Sequence, residues 1–308
     1  MCLLLASRSH PDYELVLISN RDEFFGREAH IACWQDDGYI LCPYDVPQSI
    51  DSHKFGTWCG INKDGRVGTV LNLKLDQGAQ RGHPLHLSSR GKVPTAFLSQ
   101  HDLDWEQWNS YNKFANQFSE LDNTGDFNFF YGDCKNGQYK IIDSLRQTHD
   151  VLTNNESQDD SSYMVVSNDV YRYQGEETWP KVQLAKKNLR KLIEDNVNED
   201  QDSFISKCFQ VASTSPGLDW QSEELLKSSD VTKQSIFVPP LKFPPDLNLG
   251  TTTHAGFYGT RSQIVLLVSK DRQKVTFVER VLHNSDEQVS QRSPDHPAEQ
   301  LKFQFDLN

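Results

Sequence analysis

The chain has 308 residues, a net charge of −12, an apolar fraction of 36% and an aromatic fraction of 11%. That length buries enough surface to fold without covalent staples, and the acidic balance, with no local basic patch, excludes nucleic-acid binding. Six cysteines at positions 2, 33, 42, 59, 134 and 208 form no CxxC pair, which argues against a zinc site and a secreted disulfide framework and for reduced thiols in a cytoplasmic protein.

In chain order, residues 2–6 are a continuous apolar run that predicts a buried strand. Ser9-His10-Pro11-Asp12 is turn chemistry, and residues 15–19 form a second strand, so the two pair as a hairpin. The geometry of a hairpin then brings Cys2 to the same sheet edge as Asn20–Glu23. Strands at 55–61 and 67–71 flank Asp64-Gly65, a strong hairpin signal. Pro94 opens a short helix to residue 99, and Trp105, Trp108, Tyr111 and Ala115 mark another. Strands at 127–131 and 138–142 flank Asn136-Gly137. The acidic stretch 154–162 reads as an exposed loop, and residues 163–166 as a short strand.

Val182, Ala185, Leu189, Leu192 and Ile193 repeat at helical spacing after Pro180, with Lys186, Lys187, Arg190 and Lys191 as the solvated face. Residues 204–212 give a further helix. Strands follow at 264–268 and 275–279, then a loop at 285–299. Phe303, Phe305 and Leu307 alternate with polar residues in a last strand. No repeat and no linker divides the chain, so 1–308 is read as a single α+β domain of layered hairpins and helices. No apolar run approaches the ~18 residues of a transmembrane segment. No basic region precedes a long apolar one, so no signal peptide is expected.

The chemistry of Cys2 has two readings. Loss of Met1 would leave one residue with a thiol and a free α-amine, whose pKa near ~8 suits it as an internal base. Otherwise Cys2 is a small buried hydrophobe. Polar residues at predicted strand ends are the companions to consider: Arg21, Asp22 and Glu23 after strand two, Asn72, Asn168 and Arg261. Each also reads as a turn former or an exposed charge.

The segments MCLLL, SNRDEFFGR, GTWCGIN, VLNL, VVSND, WPK and YGTRSQIVLLV resemble, in order, the NRDE-domain family, the Transport and Golgi organisation protein 2 homologues. The resemblance runs from residue 1 to about residue 280. It implies the four-layer αββα sandwich of two mainly antiparallel sheets found in N-terminal nucleophile hydrolases. Carried over from their cysteine branch, Cys2 would be the nucleophile, Asn72 an oxyanion donor, Asn168 an amine or carbonyl ligand and Arg261 an electrostatic partner. Asn20, Arg21, Asp22, Glu23 and Arg261 would face a ligand. The hydrolase pattern resembles Arg-x-x-Asp, whereas this chain has Asn20-Arg21-Asp22-Glu23. Either Arg21 with Asp22 fills the role, or Glu23 does in a shifted register.

The resemblance also implies intracellular haem movement, acyl-CoA and lipid homeostasis and Golgi organisation, in the cytosol or at mitochondria. The expected partner is therefore an amphipathic small molecule, haem or acyl-CoA/lipid, held between Arg21 and Arg261 and apolar walls such as Phe24, Trp58 and Phe257. A Cys2-dependent amidohydrolase or acyltransferase, and a scaffold with a vestigial pocket, are the alternatives. No metal site and no required cofactor are expected. Haem enters as a ligand: CxxCH is absent, and Cys42-Pro43, His83 and His254 are the axial candidates, each with a plain loop or surface reading beside it.

Overall fold

Strand β1 (Cys2–Ser7) lies inside a sheet, not at its rim. On one side it pairs antiparallel with β2 (Tyr13–Phe24), Cys2 opposite Arg21. On the other it pairs with β10 (Tyr163–Ser167). The sheet continues from β2 through β12 (Gly256–Ser269), β13 (Lys274–Val281) and β14 (Glu299–Asp306), with β11 (Leu241–Phe243) on the start of β12. A second sheet is an antiparallel meander of β3 (Ala29–Gln35), β4 (Ile40–Asp45), β5 (Cys59–Asn62), β6 (Arg66–Asn72), β7 (Phe127–Asp133), β8 (Gln138–Ile142) and β9 (Thr148–Val151). This is a computed structural model, and it describes residues 2–46, 56–73, 88–154, 159–169, 171, 178–217, 231–243 and 256–308.

Strand parity makes the layers. Leu4, Ala6, Leu15 and Leu17 point between the sheets, where they meet Ile61, Val67, Phe130 and Ile141 of the meander. Leu3, Leu5, Val16 and Ile18 point the other way, onto α3 (Pro180–Asp195) and α4 (Gln201–Ala212). The opposite face of the meander is covered by α1 (Lys92–Leu98) and α2 (Tyr111–Gln117), with Phe97, Trp108, Phe114, Phe129 and Tyr131 at its centre. The order is helices, sheet, sheet, helices, the αββα sandwich expected. Each fully buried Leu or Phe contributes roughly 1.5–3 kcal/mol, so the three apolar layers hold the strand ends in place.

The hairpins around Asp64-Gly65 and Asn136-Gly137 form as read. Several elements differ. β2 does not stop at Ser19 but runs through Asn20-Arg21-Asp22-Glu23 to Phe24, because those polar side chains have partners and the ladder with β12 is maintained. β3, β4, β9 and β11 were not expected. The segment from Trp105 to Ala115 is two pieces, a 3₁₀ turn at Trp105–Gln107 and then α2, because Ser110 caps α2 by accepting from Lys113 N at 3.4 Å. In the loop at 154–162, Asp160–Ser162 is a 3₁₀ turn with Ser162 buried, and residues 155–158 lie outside the described residues. Phe55, His83 and His254 also lie outside them.

Candidate functional site at the open end of the first hairpin

The β1–β2 register runs unbroken and sets Cys2 against Arg21, so no shift brings Glu23 to the cysteine. Cys2 is partly buried against the inter-sheet core. Its backbone N–H donates to Asn168 Oδ1, and Asn168 Nδ2 in turn donates to the Asn72 carbonyl. Ser167 Oγ donates to the Cys2 carbonyl at 2.9 Å. Asn168 therefore stitches the ends of β1 and β6 together across the sandwich. Asn72 enters through its backbone, and its side chain is exposed, which is not the placement of the oxyanion donor expected of it.

The two faces of β2 divide the NRDE residues. Arg21 shares the Cys2 face. It donates to Asp45 Oδ1 at 2.5 Å, lies 3.8 Å from Glu23 Oε2, and stacks its guanidinium 4.2 Å from the Trp58 ring. Arg27 bridges the same two acids, at 2.9 Å to Asp45 and 3.2 Å to Glu23. Asn20 and Asp22 face the helix layer. Asn20 Nδ2 donates to the carbonyls of Ala212 at 2.8 Å and Ile236 at 2.9 Å, which makes it a clamp on α4 rather than a ligand contact. Asp22 Oδ1 accepts from Thr260 Oγ1 at 2.7 Å.

Arg261 reaches the cluster through a bulge. Asp22 pairs with Thr260 and Arg21 with Ser262, so Arg261 is the extra residue, and a bulge of this kind re-aims a side chain. Arg261 is buried. Nε donates to His283 O at 3.1 Å and Nη2 to Asn284 O at 3.4 Å, while Nη1 has no hydrogen bond among the described residues. Burial, and then Arg21 close by, lower its pKa to about 10. Glu279 on β13 completes this corner. It accepts from Ala32 N at 2.6 Å, and burial raises its pKa to about 7 against the pull of Arg21 and Arg261.

Burial pushes the Cys2 thiol up, with the Asp22 carboxylate adding to that, while the Asp22 amide and Arg21 act in the opposite direction. Burial likewise raises Asp22. Of the expected residues, Cys2, Arg21, Asp22 and Asn168 thus gather at one edge, with Glu23 and Arg261 attached through Arg21. Sequence reasoning missed Asp45, Arg27, Arg90, Asn128 and Lys181. Asn128 Nδ2 holds the end of β10 through Ser167 O at 3.0 Å and Asp169 O at 2.6 Å. Lys181 was in view in WPK, but a lysine in the first turn of a helix reads as solvent-facing.

The profile of the family described as Transport and Golgi organisation 2 matches residues 1–284. The chain belongs to that family. Along its whole length it is 48% identical to the uncharacterised protein YGR127W of Saccharomyces cerevisiae, over 100% of both chains. It is 24% identical to the Homo sapiens Transport and Golgi organization protein 2 homolog, over 89% of this chain and 88% of that one. Solved structures similar to it include a Caenorhabditis elegans ortholog of N-acylethanolamine-hydrolyzing acid amidase, at 13% identity and TM-score 0.43, covering 71% of this chain and 88% of the other. Another is a variant of the conjugated bile acid hydrolase from Clostridium perfringens, at 9% identity and TM-score 0.44, covering 100% and 98%.

In this Transport and Golgi organisation 2 chain, Cys42 is not placed as a haem ligand. It is buried in the outer core beside α1, and burial raises its thiol to about 12. Gly60 packs so closely that a Cβ there would lie 2.8 Å from Cys42 Cβ, which leaves no room for a ring. Of the expected apolar walls, Trp58 shares the Arg21 face. Phe24 is on the Asp22 side, edge-on to Tyr258 at 5.2 Å, and Phe257 stacks 6.4 Å from Phe25. Among the described residues no helix is long and apolar enough to cross a membrane.

Proposed function

We propose that this chain binds an amphipathic small molecule with an anionic head, of the haem or acyl-CoA and lipid class, at the open end of the β1–β2 hairpin. In this reading it serves the intracellular homeostasis of that ligand, with a link to Golgi organisation. The observation that carries the reading is an unspent arginine donor: Arg21 and Arg27 are paired with Asp45 and Glu23, whereas the buried Arg261 beside them keeps Nη1 without a hydrogen-bond partner among the described residues. Arginine forks suit propionates and phosphates alike, and Trp58 supplies an aromatic face beside them.

The test is titration of the purified protein with haem and with a long-chain acyl-CoA, read by tryptophan quenching. Arg261→Ala is expected to weaken binding about ten- to hundredfold, the cost of a charged hydrogen bond at roughly 1.5–3 kcal/mol. Equal affinity of wild type and variant for both ligands overturns the reading.

A second reading, a Cys2-dependent amidohydrolase or acyltransferase, is favoured by one feature: the Cys2 nitrogen is held by Asn168 while the Asp22 amide faces the thiol. It requires des-Met protein to acylate at Cys2 with an activated amide or thioester, and Cys2→Ser to slow turnover strongly. A protein that stays unacylated with Met1 removed excludes it.

A further inference from the structure

On the outer face of the meander, β3 and β4 set two thiols side by side. Cys33 and Cys42 are direct partners in the antiparallel ladder. His30 pairs with Tyr44, so β3 carries one residue more than β4 between the two pairs. That bulge puts His30 and Cys33 on one face, where strict alternation would put them on opposite faces. Ala32 and Trp34 point to the inter-sheet core, so Cys33 points away from it, and Cys42 lies in the outer core while its neighbour Leu41 lies in the inner one. His30 stacks flat on Tyr44 with ring centroids 4.8 Å apart, and its Nδ1 lies 3.7 Å from Cys33 Sγ. Gln35 Nε2 donates to the same sulfur at 2.9 Å.

The spacing suits a covalent bond between the two. Directly opposed residues of an antiparallel pair have Cα atoms roughly 4.5 or 5.5 Å apart, and a disulfide spans Cα separations of roughly 4.4–6.8 Å. Both kinds of pair fall inside that window. The Cβ atoms, about 4.5–5.5 Å apart in such a pair, must close to about 3.5–4.5 Å. β3 can make that adjustment because it is the edge strand of its sheet and pairs with no strand but β4 among the described residues. The two sulfurs differ in access. Cys33 is partly exposed, whereas Cys42 is buried with the Thr57 hydroxyl against its thiol.

We propose that Cys33 and Cys42 are a site of reversible oxidation, at which a hydroperoxide converts the two thiols to a cross-strand disulfide. The inference is independent of ligand binding and of the chemistry of Cys2. Cys33 reacts first, because the peroxide reaches it from solvent. Its sulfur attacks one peroxide oxygen and the O–O bond breaks. The other oxygen leaves with the thiol's proton, as an alcohol or, from hydrogen peroxide, as water, and Cys33 is a sulfenic acid. The Cys42 sulfur turns from Thr57 toward β3 and attacks it. The S–S bond forms, the S–O bond breaks, and the hydroxide leaves with the Cys42 proton as water. The two thiols lose two hydrogens and two electrons, and the peroxide gains them. A low-molecular-weight thiol reduces the bond again by exchange at Cys33, the accessible sulfur. Where glutathione keeps thiols reduced, such pairs are transient and redox-sensing rather than structural. β4 runs on to Asp45, which holds Arg21 and Arg27, so the bond braces the strand that carries that carboxylate.

The test is treatment of the folded full-length protein with hydrogen peroxide, removal of the excess with catalase, alkylation of the remaining thiols in denaturant, and non-reducing peptide mapping by mass spectrometry. The expected product joins the peptides of Cys33 and Cys42 and is lost on treatment with dithiothreitol, while the buried Cys59, Cys134 and Cys208 are alkylated as in untreated protein. Cys42→Ala is expected to abolish the cross-link and leave Cys33 as a sulfenic acid that dimedone traps, and Cys33→Ala to leave Cys42 reduced. Wild-type protein in which Cys33 stops at sulfenic acid or proceeds to sulfinic acid while Cys42 stays open to alkylation overturns the proposal. A bond from Cys33 to Cys2 or to a second copy of the chain overturns it equally, as does a Cys33 that peroxide leaves unchanged. The wild-type map decides without any variant, so a Cys42→Ala protein that fails to fold does not shield the proposal.

Discussion

At its turn the β1–β2 hairpin carries Arg8 and Glu14, and at its open end it carries Cys2, Arg21 and Asp22. Both ends bury charge: the turn and Arg21 between the two sheets, Asp22 on the helix side of the first sheet. At the turn, Glu14 accepts from Arg8 at 2.8 and 2.6 Å, from Arg272 at 3.3 Å and from the Tyr139 hydroxyl at 3.4 Å. Arg8 spends its remaining donors on the carbonyls of Leu152 at 2.9 Å and Gly137 at 3.1 Å. At the open end, Lys181 Nζ, Arg261 Nη1 and Trp58 Nε1 have no hydrogen-bond partner among the described residues. A satisfied buried network fixes how the sheets sit on each other. An under-satisfied one is where a fold forgoes stability and retains chemistry.

The largest expected effect tests the turn. Glu14→Ala leaves Arg8 buried without its counter-charge and is expected to destabilise by about 3–5 kcal/mol. Urea unfolding measures it. A loss no larger than that of an exposed ion pair, about 0–1 kcal/mol, would break the contrast.

A smaller effect tests the open end through pH. Glu279 goes from the ordinary 4.5 to about 7 because of burial. With a folded pKa above the unfolded one, its contribution is fully present below pH 4.5 and is lost as pH rises toward 7, about 3 kcal/mol over that window. His283 runs the other way. Burial lowers it from 6.5 to about 4, so stability is lost as pH falls from 6.5 to 4, by a similar amount. The two slopes oppose each other in the wild type. Glu279→Gln, compared with wild type by denaturant unfolding at pH 5 and pH 8, should gain stability chiefly at pH 8. An equal difference at both values would refute the assignment.

The smallest effect sharpens the comparison. Lys181→Met removes a buried ammonium without a hydrogen-bond partner and keeps most of the volume, but it also takes a favourable charge away from the buried Asp22 carboxyl; the two effects offset, and a change within about 1 kcal/mol of zero is expected, measured by the same unfolding assay. A clear loss would mean that the lysine supports the fold as Arg8 does.

Which parts were legible follows from the same physics. β1, β10 and β12 were readable because unbroken apolar runs have few alternatives, and α3 because its stripe follows Pro180. β2 was truncated at Ser19 because periodicity ends where charge begins, although the ladder continues under the charged residues. β3 and β4 were hidden for a different reason. β3 is an edge strand with His30 and Gln35 in it. β4 contains Pro43, tolerated because the β3 register shift between His30 and Cys33 falls opposite it, where no ladder donor is needed. The site was half legible. Strand-end polarity pointed to Arg21, Asp22 and Asn168, but Asp45 lies on an unrecognised strand and Lys181 on a helix turn whose exposure no pattern predicts.

The central seat of β1 has a consequence for the order of assembly. Leu3, Leu4 and Leu5 are buried on both faces, and one of the two neighbours that β1 needs is β10, with Leu3 opposite Ser167. The other neighbour, β2, in turn needs β12. During synthesis the first hairpin is therefore complete long before its partners exist, with an apolar backbone edge waiting for residues more than 150 positions away. Such long-range closure is slow, and an unpaired apolar edge is the surface on which nascent chains aggregate. The segment that carries Cys2 is thus made well before β10 and β12 and is enclosed only when they arrive.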